Sequence, residues 1–184
     1  KGLMEFDGYY PSDVYVCSFN GLKFSKAKNS ASLNSIYDEQ CVGIYDNGAK
    51  IFVYIDNFAT GEKGNIYEAE RKGSTYSKKK KIKEGVNTKY LETSSSISSD
   101  GTAFIYASNR AGGIGGLDIY MTKQLPDGTW ASPQNLSVIN TTQDEDFPTL
   151  SPDGKTLYFC SNGLTGMGGY DLYKSGWDNK NKEW

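Results

Sequence analysis

The amino-acid sequence predicts an all-β fold made of four-stranded antiparallel units that repeat along the chain. Three observations support this prediction: a repeat of 53 positions, Asp-Gly or Asn-Gly turn signals in each copy, and a high content of glycine and tyrosine. The 184 residues include 21 Gly and 14 Tyr but 5 Pro. Glycine supplies the positive φ angles that tight turns require, and aromatic residues favour the half-buried surface of a pleated strand.

The repeat is clearest at three turn segments. Asn47-Gly48, Asp100-Gly101 and Asp153-Gly154 follow one another at steps of 53 positions, and an apolar run comes after each. Such dipeptides suit two-residue hairpin turns, so each one marks a strand, a reversal and a second strand. When the copies are aligned at this spacing, several other columns also hold similar residues, which indicates a true repeat. These columns are Glu39, Glu92 and Glu145; Asn34, Asn87 and Asn140; and the tripeptides at 65–67, 118–120 and 171–173.

Each copy predicts four strands, which we name A to D in chain order. Strand A is short and rich in small residues, strand B is the apolar run, and strand C carries Asp or Asn, then Ile or Leu, then Tyr. Four antiparallel strands repeated at about 40–50 residues form the blade of a β-propeller. The predicted strands A lie at 41–45, 94–98 and 147–151, strands B lie at 51–55, 103–107 and 156–160, and strands D begin near Tyr76, Trp130 and Trp184.

We expect residues 1–184 to be part of one propeller domain. Residues 1–37 would be the end of one blade, 38–90 and 91–143 two complete blades, and 144–184 an incomplete blade. A closed propeller has about 4–8 blades, so a chain of about three to four blades is expected to cover part of a larger ring.

Composition excludes several classes of function. The formal net charge of −2 does not favour binding to nucleic acid or to an anionic membrane. No apolar stretch approaches about 18 residues, so we predict no transmembrane helix and no direct membrane insertion. The sequence has no histidine, which removes Ser-His-Asp and Cys-His catalysis and His-ligated zinc within this chain. Chemistry by paired carboxylates stays open as an alternative, with Glu145 and Glu92 as its candidate pair. We predict no catalytic residues, no metal site and no cofactor.

Two smaller features leave alternatives open. The lysine run at 78–81 predicts a solvated outer strand that resists edge pairing, with a phosphate-binding patch as the alternative. Cys17, Cys41 and Cys160 lie far apart and do not follow metal-site spacing. We expect buried thiols, and a Cys17–Cys41 disulfide is the alternative.

Residues 151–162, Ser-Pro-Asp-Gly-Lys-Thr-Leu-Tyr-Phe-Cys-Ser-Asn, resemble the WD40-like Pro-Asp-Gly repeat of TolB-type propellers. The segments 166–173 and 127–136, together with Ile139-Asn140-Thr141, give a narrower resemblance. They are similar to OmpA-family proteins of the Bacteroidota, which carry such propellers beside a peptidoglycan-binding domain. Some members of that family are periplasmic components of the type IX secretion system.

This resemblance implies a non-catalytic, extracytoplasmic protein-binding scaffold. The implied location is the periplasm, in association with the outer membrane. The implied partners are envelope proteins, with peptidoglycan contacted through a domain outside this sequence. The alternative function is the propeller domain of a secreted or periplasmic hydrolase, either a peptidase or a glycan-active enzyme. Direct glycan binding through Tyr and Trp side chains is a third hypothesis.

In a propeller, the loops that lead into strands A and the loops that join strands B to C share one face. We expect the partner to bind there, because a rigid repeat framework presents variable loops. The acidic residues would form a ring for a basic segment or a cation, or each Glu would accept hydrogen bonds that lock adjacent blades. Met and aromatic side chains are typical interface anchors. The candidate residues are Glu39, Glu92, Asp144, Glu145, Asp146, Met167 and Tyr170, with Tyr90 and Phe147 beside them.

Asp118, Asp171 and Asn65 directly precede the predicted strands C. Side chains of this type accept hydrogen bonds from backbone N–H groups of the adjacent loop, which is the role we expect here. Calcium binding is the alternative, although no compact Asp-x-Asp-x-Asp loop is present. The glycine-rich segment 111–116 lacks the Lys-Ser/Thr ending of a phosphate-binding loop.

Overall fold

A computed structural model describes residues 10–57, 62–83 and 85–184 of the chain. Over these residues the secondary structure consists of short strands and turns with one 3-10 segment at Asp46–Gly48, and it contains no α-helix. The strands are β1 (Tyr15–Val16), β2 (Lys28–Asn29), β3 (Asp38–Tyr45), β4 (Lys50–Asn57), β5 (Glu62–Lys72), β6 (Thr75–Tyr76), β7 (Lys80–Lys81), β8 (Glu92–Ile97), β9 (Ala103–Ser108), β10 (Asp118–Lys123), β11 (Gln134–Asn135), β12 (Glu145–Leu150), β13 (Thr156–Ser161) and β14 (Asp171–Gly176).

The strands form four antiparallel sheets that follow one another in chain order. The first is the β1–β2 pair, and the second has the order β3-β4-β5, with β6 and β7 both paired to β5. The third has the order β8-β9-β10-β11 and the fourth the order β12-β13-β14. Strands A are therefore β3, β8 and β12, which begin at Asp38, Glu92 and Glu145. The exact boundaries of the four units along the chain stay a prediction.

The predicted start of an outer strand near Tyr76 agrees with β6, whereas the starts predicted near Trp130 and Trp184 do not match a strand. Trp130 forms an isolated bridge with Gln124, and pairing with β10 begins at Gln134. Pro133 directly precedes that residue. Proline has no N–H to donate to a ladder, so regular pairing is delayed to the next position. Trp184 likewise lies outside any strand.

Aspartate side chains hold the later hairpin turns between strands A and B. Asp100 Oδ1 accepts hydrogen bonds from the Ser98 hydroxyl at 2.5 Å and from the Thr102 N–H at 3.0 Å. Asp153 accepts the equivalent two bonds in the fourth sheet. These donors stabilise the charged carboxylate and hold the pKa of Asp100 at about 2, below its ordinary value of 3.8. Gly101 completes the turn with a φ of 75°.

The second sheet closes the same turn by a different backbone path. Asp46 and Asn47 both take left-handed conformations, with φ values of 48° and 50°, and the chain makes a 3-10 turn there. Asp and Asn tolerate this region better than most residues other than glycine. The predicted Asn-Gly reversal is therefore present with a different geometry.

Three apolar clusters fill the space between consecutive sheets. Along β4, Ile51 and Val53 belong to the cluster on the β1–β2 side, while Phe52 belongs to the cluster on the β8–β9 side. Successive side chains of a strand point to opposite faces, so a central sheet contributes to two clusters. The sheets therefore stack face to face, and β8 lies beside both β3 and β12. The clusters are Val14, Leu33, Ile51, Val53 and Ala69; Phe52, Ile66, Ile82, Val86, Phe104, Tyr106 and Tyr120; and Ile105, Ile119, Ile139, Leu157, Phe159 and Trp184.

The repeated asparagines connect each link between sheets to the sheet before it. Asn140, between β11 and β12, accepts the Ile119 N–H at 2.8 Å and donates to the Ile119 C=O at 2.9 Å. Asn87 makes the same two bonds with Ile66, at 2.8 Å and 2.6 Å. We call these residues, with their equivalent Asn34 on Val14, the asparagine clasps. In the second and third sheets, the clasp gives hydrogen-bond partners to strand C just beyond the point where pairing with the outer strand ends.

Replacing Asn140 with alanine should destabilise the fold. The buried N–H of Ile119 would lose its partner, while its C=O keeps the hydrogen bond from the Leu136 N–H, so we expect a loss of about 1–3 kcal/mol in the free energy of unfolding. Urea denaturation monitored by tryptophan fluorescence measures this loss. Asn181 is exposed and bonds Asp178, and Asn181→Ala should stay within about 0.5 kcal/mol of the parent. Equal losses in both variants would contradict a special role for the clasp.

The pKa of Asp100 makes a prediction about acid stability. Because the folded-state pKa is lower than the unfolded one, the ionised carboxylate stabilises the fold above about pH 4, and this contribution is lost as the pH falls toward about 2. Carboxyl carbon NMR should show Asp100 titrating near 2. Asp100→Asn should remove this part of the acid dependence. Titration at the ordinary value of 3.8 would show that the turn bonds do not hold the charge.

Candidate functional site

The inner strands of three sheets border one cleft. It has a volume of about 420 Å³ and is walled by β3, β8 and β12, with Tyr54 of β4 at its edge. Ser94 and Ser95 contribute small side chains from the middle strand, which leaves room between the walls. Asp146 and Phe147 lie on the β12 side. The cleft brings residues from three repeats into one concave surface.

Asp146 joins β12 to β8 inside this cleft. Its Oδ1 accepts hydrogen bonds from the Thr93 hydroxyl at 2.9 Å, from the Ser94 hydroxyl, and from the Phe147 N–H at 2.7 Å. The residue is 6% exposed. Strand β12 shifts register between Asp146 and Thr149, and Phe147 has a φ of 56° within this bulge. Bulges re-aim side chains, and the Phe147 ring is left 56% exposed.

Phe147 forms an exposed aromatic edge together with the loop that precedes β14. Its ring meets that of Tyr170 edge to face, with centroids 6.3 Å apart and planes at 76°. Tyr170 is 44% exposed, and Met167 in the same loop is 100% exposed. We call Phe147, Met167 and Tyr170 the aromatic edge. Its side chains are exposed to solvent, and Phe147 also lines the cleft.

The acidic residues next to this edge are used in the structure of the loops. Asp144 accepts the Leu117 N–H at 2.8 Å, and its own N–H donates to Asn162 at 2.8 Å. Partial burial, followed by the charges of Asp144, Asp146 and Glu145, raises the pKa of Tyr170 to about 12. The phenol therefore remains a hydrogen-bond donor to a higher pH than an ordinary tyrosine, whose pKa is 10.

The three glutamates of the repeat column are buried where their sheets begin. Glu39 is 1% exposed, and Glu92 and Glu145 are 0% exposed. Each accepts the N–H and hydroxyl of the Ser or Thr four positions earlier: Glu92 binds Thr88 at 3.0 Å and 2.7 Å, and Glu145 binds Thr141 at 2.6 Å and 2.7 Å. Glu39 has the same pattern. Each glutamate thus holds the link that leads into its own strand A.

A further partner differs from one glutamate to the next. Glu92 pairs with the Arg110 guanidinium at 3.3 Å, and Glu39 pairs with the Lys79 ammonium at 2.9 Å. Glu145 accepts the Ser161 hydroxyl at 2.6 Å and has no salt bridge among the described residues. The lysine run is therefore not uniform, because Lys79 turns inward while β7, Lys80–Lys81, is exposed as a solvated outer strand.

These contacts place Glu39, Glu92 and Glu145 inside the blades instead of in a surface ring. A buried carboxylate surrounded by donors is not available to a partner's basic segment, so we do not include these glutamates in the binding face. Sequence reasoning missed Arg110 and Lys79 as their partners. The repeat gives no signal for them, because Gly163 occupies the position equivalent to Arg110 in the last copy.

The aspartates that begin strands C hold the glycine-rich loops, as predicted. Asp118 accepts the N–H of Ile114 at 2.5 Å and that of Gly115 at 3.0 Å. Asp171 accepts two backbone N–H groups in the corresponding loop. Asn65 does not do this among the described residues, since its amide donates to the backbone carbonyl two positions earlier at 2.7 Å. The loop contact is therefore confirmed for the two aspartates.

The cysteines are free thiols. Cys17 and Cys41 are exposed and Cys160 is half-buried, so the expectation of buried thiols is wrong for the first two. Cys41 lines the open cleft, which explains its exposure. The alternative Cys17–Cys41 disulfide is not formed. Tyr90, the other aromatic candidate, is half-buried, with the Lys89 ammonium 5.4 Å from its ring centroid.

Two classes of feature are absent from residues 10–57, 62–83 and 85–184. No group of three or more His, Cys, Asp or Glu residues there is arranged to hold a metal ion. No helix in that part of the chain is long and apolar enough to cross a membrane.

Comparison with known proteins identifies the architecture. No family model and no curated protein sequence matches the chain. Among solved structures it is similar to a protein assigned as TolB from Agrobacterium tumefaciens, with 13% identity and a TM-score of 0.53 over 79% of this chain and 49% of that one. The chain shares the propeller fold of TolB. A TolB structure from Acinetobacter baumannii is 16% identical, with a TM-score of 0.44 over 83% of this chain and 44% of that one.

The TolB likeness confirms the predicted fold class, an all-β propeller of antiparallel blades. The chain spans about half the length of these two TolB chains, 49% and 44%. That the chain covers part of a larger ring stays a prediction. At this level of identity the likeness concerns the fold alone.

Glu92→Gln should destabilise the fold more than Glu145→Gln. Neutralising Glu92 leaves the Arg110 guanidinium without its carboxylate, which costs about 3 kcal/mol for a buried pair. Glu145 has no cation to strand among the described residues, so we expect its loss to be smaller by at least about 1 kcal/mol. Urea denaturation of the two variants measures the difference. A larger loss for Glu145→Gln would show that the ion pair does not matter.

Proposed function

We propose that this chain is a non-catalytic, protein-binding scaffold of the cell envelope, and that its partner binds the cleft and the aromatic edge. One observation carries the proposal: Phe147, Met167 and Tyr170 are solvent-exposed, and Phe147 also lines the cleft. Aromatic and Met side chains next to a pocket are the usual anchors of protein interfaces. The Asp171 carboxylate accepts the Met167 N–H at 2.9 Å, and such ordering before association lowers the entropy lost on binding.

The state of the nearby carboxylates also supports recognition over catalysis. A general acid or base needs a carboxyl group within hydrogen-bond reach of the substrate proton. Asp146 is bonded to two hydroxyls of β8, and Asp144 is bonded to the Leu117 N–H. The buried Glu145 is bonded to Thr141 and Ser161. Each carboxylate at this face therefore already has donors from the protein itself.

We propose a periplasmic location with outer-membrane association, with envelope proteins as partners. The resemblance of segments 166–173 and 127–136 and of Ile139-Asn140-Thr141 to OmpA-family proteins supports an assembly that also contacts peptidoglycan through another domain, such as the type IX secretion machinery. Affinity capture of the full-length protein from solubilised envelopes, followed by mass spectrometry, tests this assignment. Recovery of secretion or peptidoglycan-associated proteins is the expected result. Recovery of cytoplasmic proteins alone would contradict it.

Met167→Glu should weaken binding of the captured partner by about tenfold or more, because it places a charge in an apolar anchor position. Its melting temperature should not change, since the Met167 side chain is 100% exposed. Leu125→Glu is the matched control, because Leu125 is 44% exposed on the turn that joins strands C and D, at the opposite face. Surface plasmon resonance measures both affinities. Equal affinities of the two variants would remove the aromatic edge from the interface.

A further inference from the structure

A second groove lies between the outer strand of the second sheet and the turn at 128–130 of the third sheet. It has a volume of about 540 Å³, within the range of ligand pockets. Lys80, Lys81 and Lys83 line one side, and Glu68 of β5 lies beside them. The cleft described above is lined by different residues, most of them from strands A. The groove is therefore a separate surface.

The lysines of this groove carry positive charge that the described residues do not neutralise. Lys80, Lys81 and Lys83 are exposed, and none of them makes a salt bridge within the described part of the chain. The carboxylate in the described lining belongs to Glu68, and it is already paired with the Lys50 ammonium at 3.1 Å. The groove therefore presents three ammonium groups to an anionic partner.

The fold does not require lysine at these positions. In their pairing with strand C, Lys80 and Lys81 take the register positions that Gln134 and Asn135 take in the third sheet. Two residues after Asn135 the third sheet has Ser137, in the place that Lys83 holds after β7. A neutral outer strand thus forms the same pairing. The lysine charge of the second sheet therefore has a reason other than the architecture.

The edge of β7 that faces away from β5 is open. Ile82 donates its N–H to the Ile66 C=O at 3.2 Å, so the alternation of an antiparallel pair turns the N–H and C=O of Lys81 outward. Among the described residues neither group has a hydrogen-bond partner. An unpaired edge is a template for another strand, and lysines on it repel most candidates. A strand with acidic side chains is attracted instead.

We propose that this groove binds an extended, acidic segment of a partner protein, which adds as a strand to the edge of β7. The backbone of the segment pairs with the N–H and C=O of Lys81, which is the mode of peptides that extend a sheet. Its Asp or Glu side chains pair with the ammonium groups of Lys80, Lys81 and Lys83. Binding here is independent of the proposed use of the cleft.

The opposite wall of the groove favours a peptide over a phosphate group or a nucleic acid. The N–H groups of Gly128 and Thr129 already have acceptors within their own turn, each at 2.9 Å, so they do not cradle a phosphate. Trp130 is half-buried, and its ring packs against Phe104 with centroids 5.4 Å apart. Stacking of nucleobases uses open aromatic faces, and this ring is not a free platform.

The test titrates the chain with a fluorescent peptide of about eight alternating Glu and Val residues, at low salt. The main variant combines Lys80→Gln, Lys81→Asn and Lys83→Ser, which are the residues of the third sheet and so keep the outer strand. Its affinity for the peptide, measured by fluorescence anisotropy, should fall by about tenfold or more. In the parent chain, binding should slow hydrogen–deuterium exchange of the Lys81 amide by about tenfold or more in NMR spectra.

Two controls separate this groove from charge in general. The control variant combines Lys155→Gln, Lys174→Asn and Lys180→Ser, which removes the same charge from exposed positions of the fourth sheet and the turn after it. Its affinity should stay within about twofold of the parent. A peptide of alternating Lys and Val should not bind the parent chain. Circular dichroism establishes that both variants are folded.

Four results would overturn the proposal. One is equal affinity of the Glu-Val peptide for the parent and for a folded main variant. Another is equal binding of the Glu-Val and Lys-Val peptides by the parent, which decides the question even where the variant does not fold. A third is peptide binding without protection of the Lys81 amide, because the edge would then be unpaired. The last is tighter binding of oligothymidylate or a polyuronate, lost in the main variant, because another class of polymer would then be the occupant.

Discussion

The stacking of the sheets depends on the hydrogen bonds made by the Asn-Ser or Asn-Thr dipeptide in each link between sheets. In the link before β12, Asn140 bonds the backbone of the preceding sheet, while Thr141 bonds Glu145 of the following one. Two adjacent side chains thus tie one link to two sheets. An irregular link would otherwise bury unpaired backbone groups, which is costly. Packing of the apolar clusters holds the sheets together but is not directional. The hydrogen bonds of the links are directional, so they fix the position of each sheet relative to the next.

Local chemistry explains how much of the fold could be predicted from the sequence. The turns at Asp100 and Asp153 are closed by their own neighbours, so a short motif identifies them. The outer strand β11 begins later than the sequence predicts. Trp130 forms only an isolated bridge, and Pro133 delays regular pairing. The repeat in the sequence does not show whether the Glu92 side chain points into the blade or toward solvent. Its burial follows from Arg110 and Thr88, which the tertiary structure brings to it.

The candidate site was predictable in its location and less so in its members. Loops on one face were expected to carry the partner surface, and Met167 and Tyr170 are exposed there. The sequence does distinguish Phe147 from its equivalents. Cys41 and Ser94 hold the same position in the other two copies of strand A, which is rich in small residues. The bulge after Asp146 turns the Phe147 ring toward Tyr170.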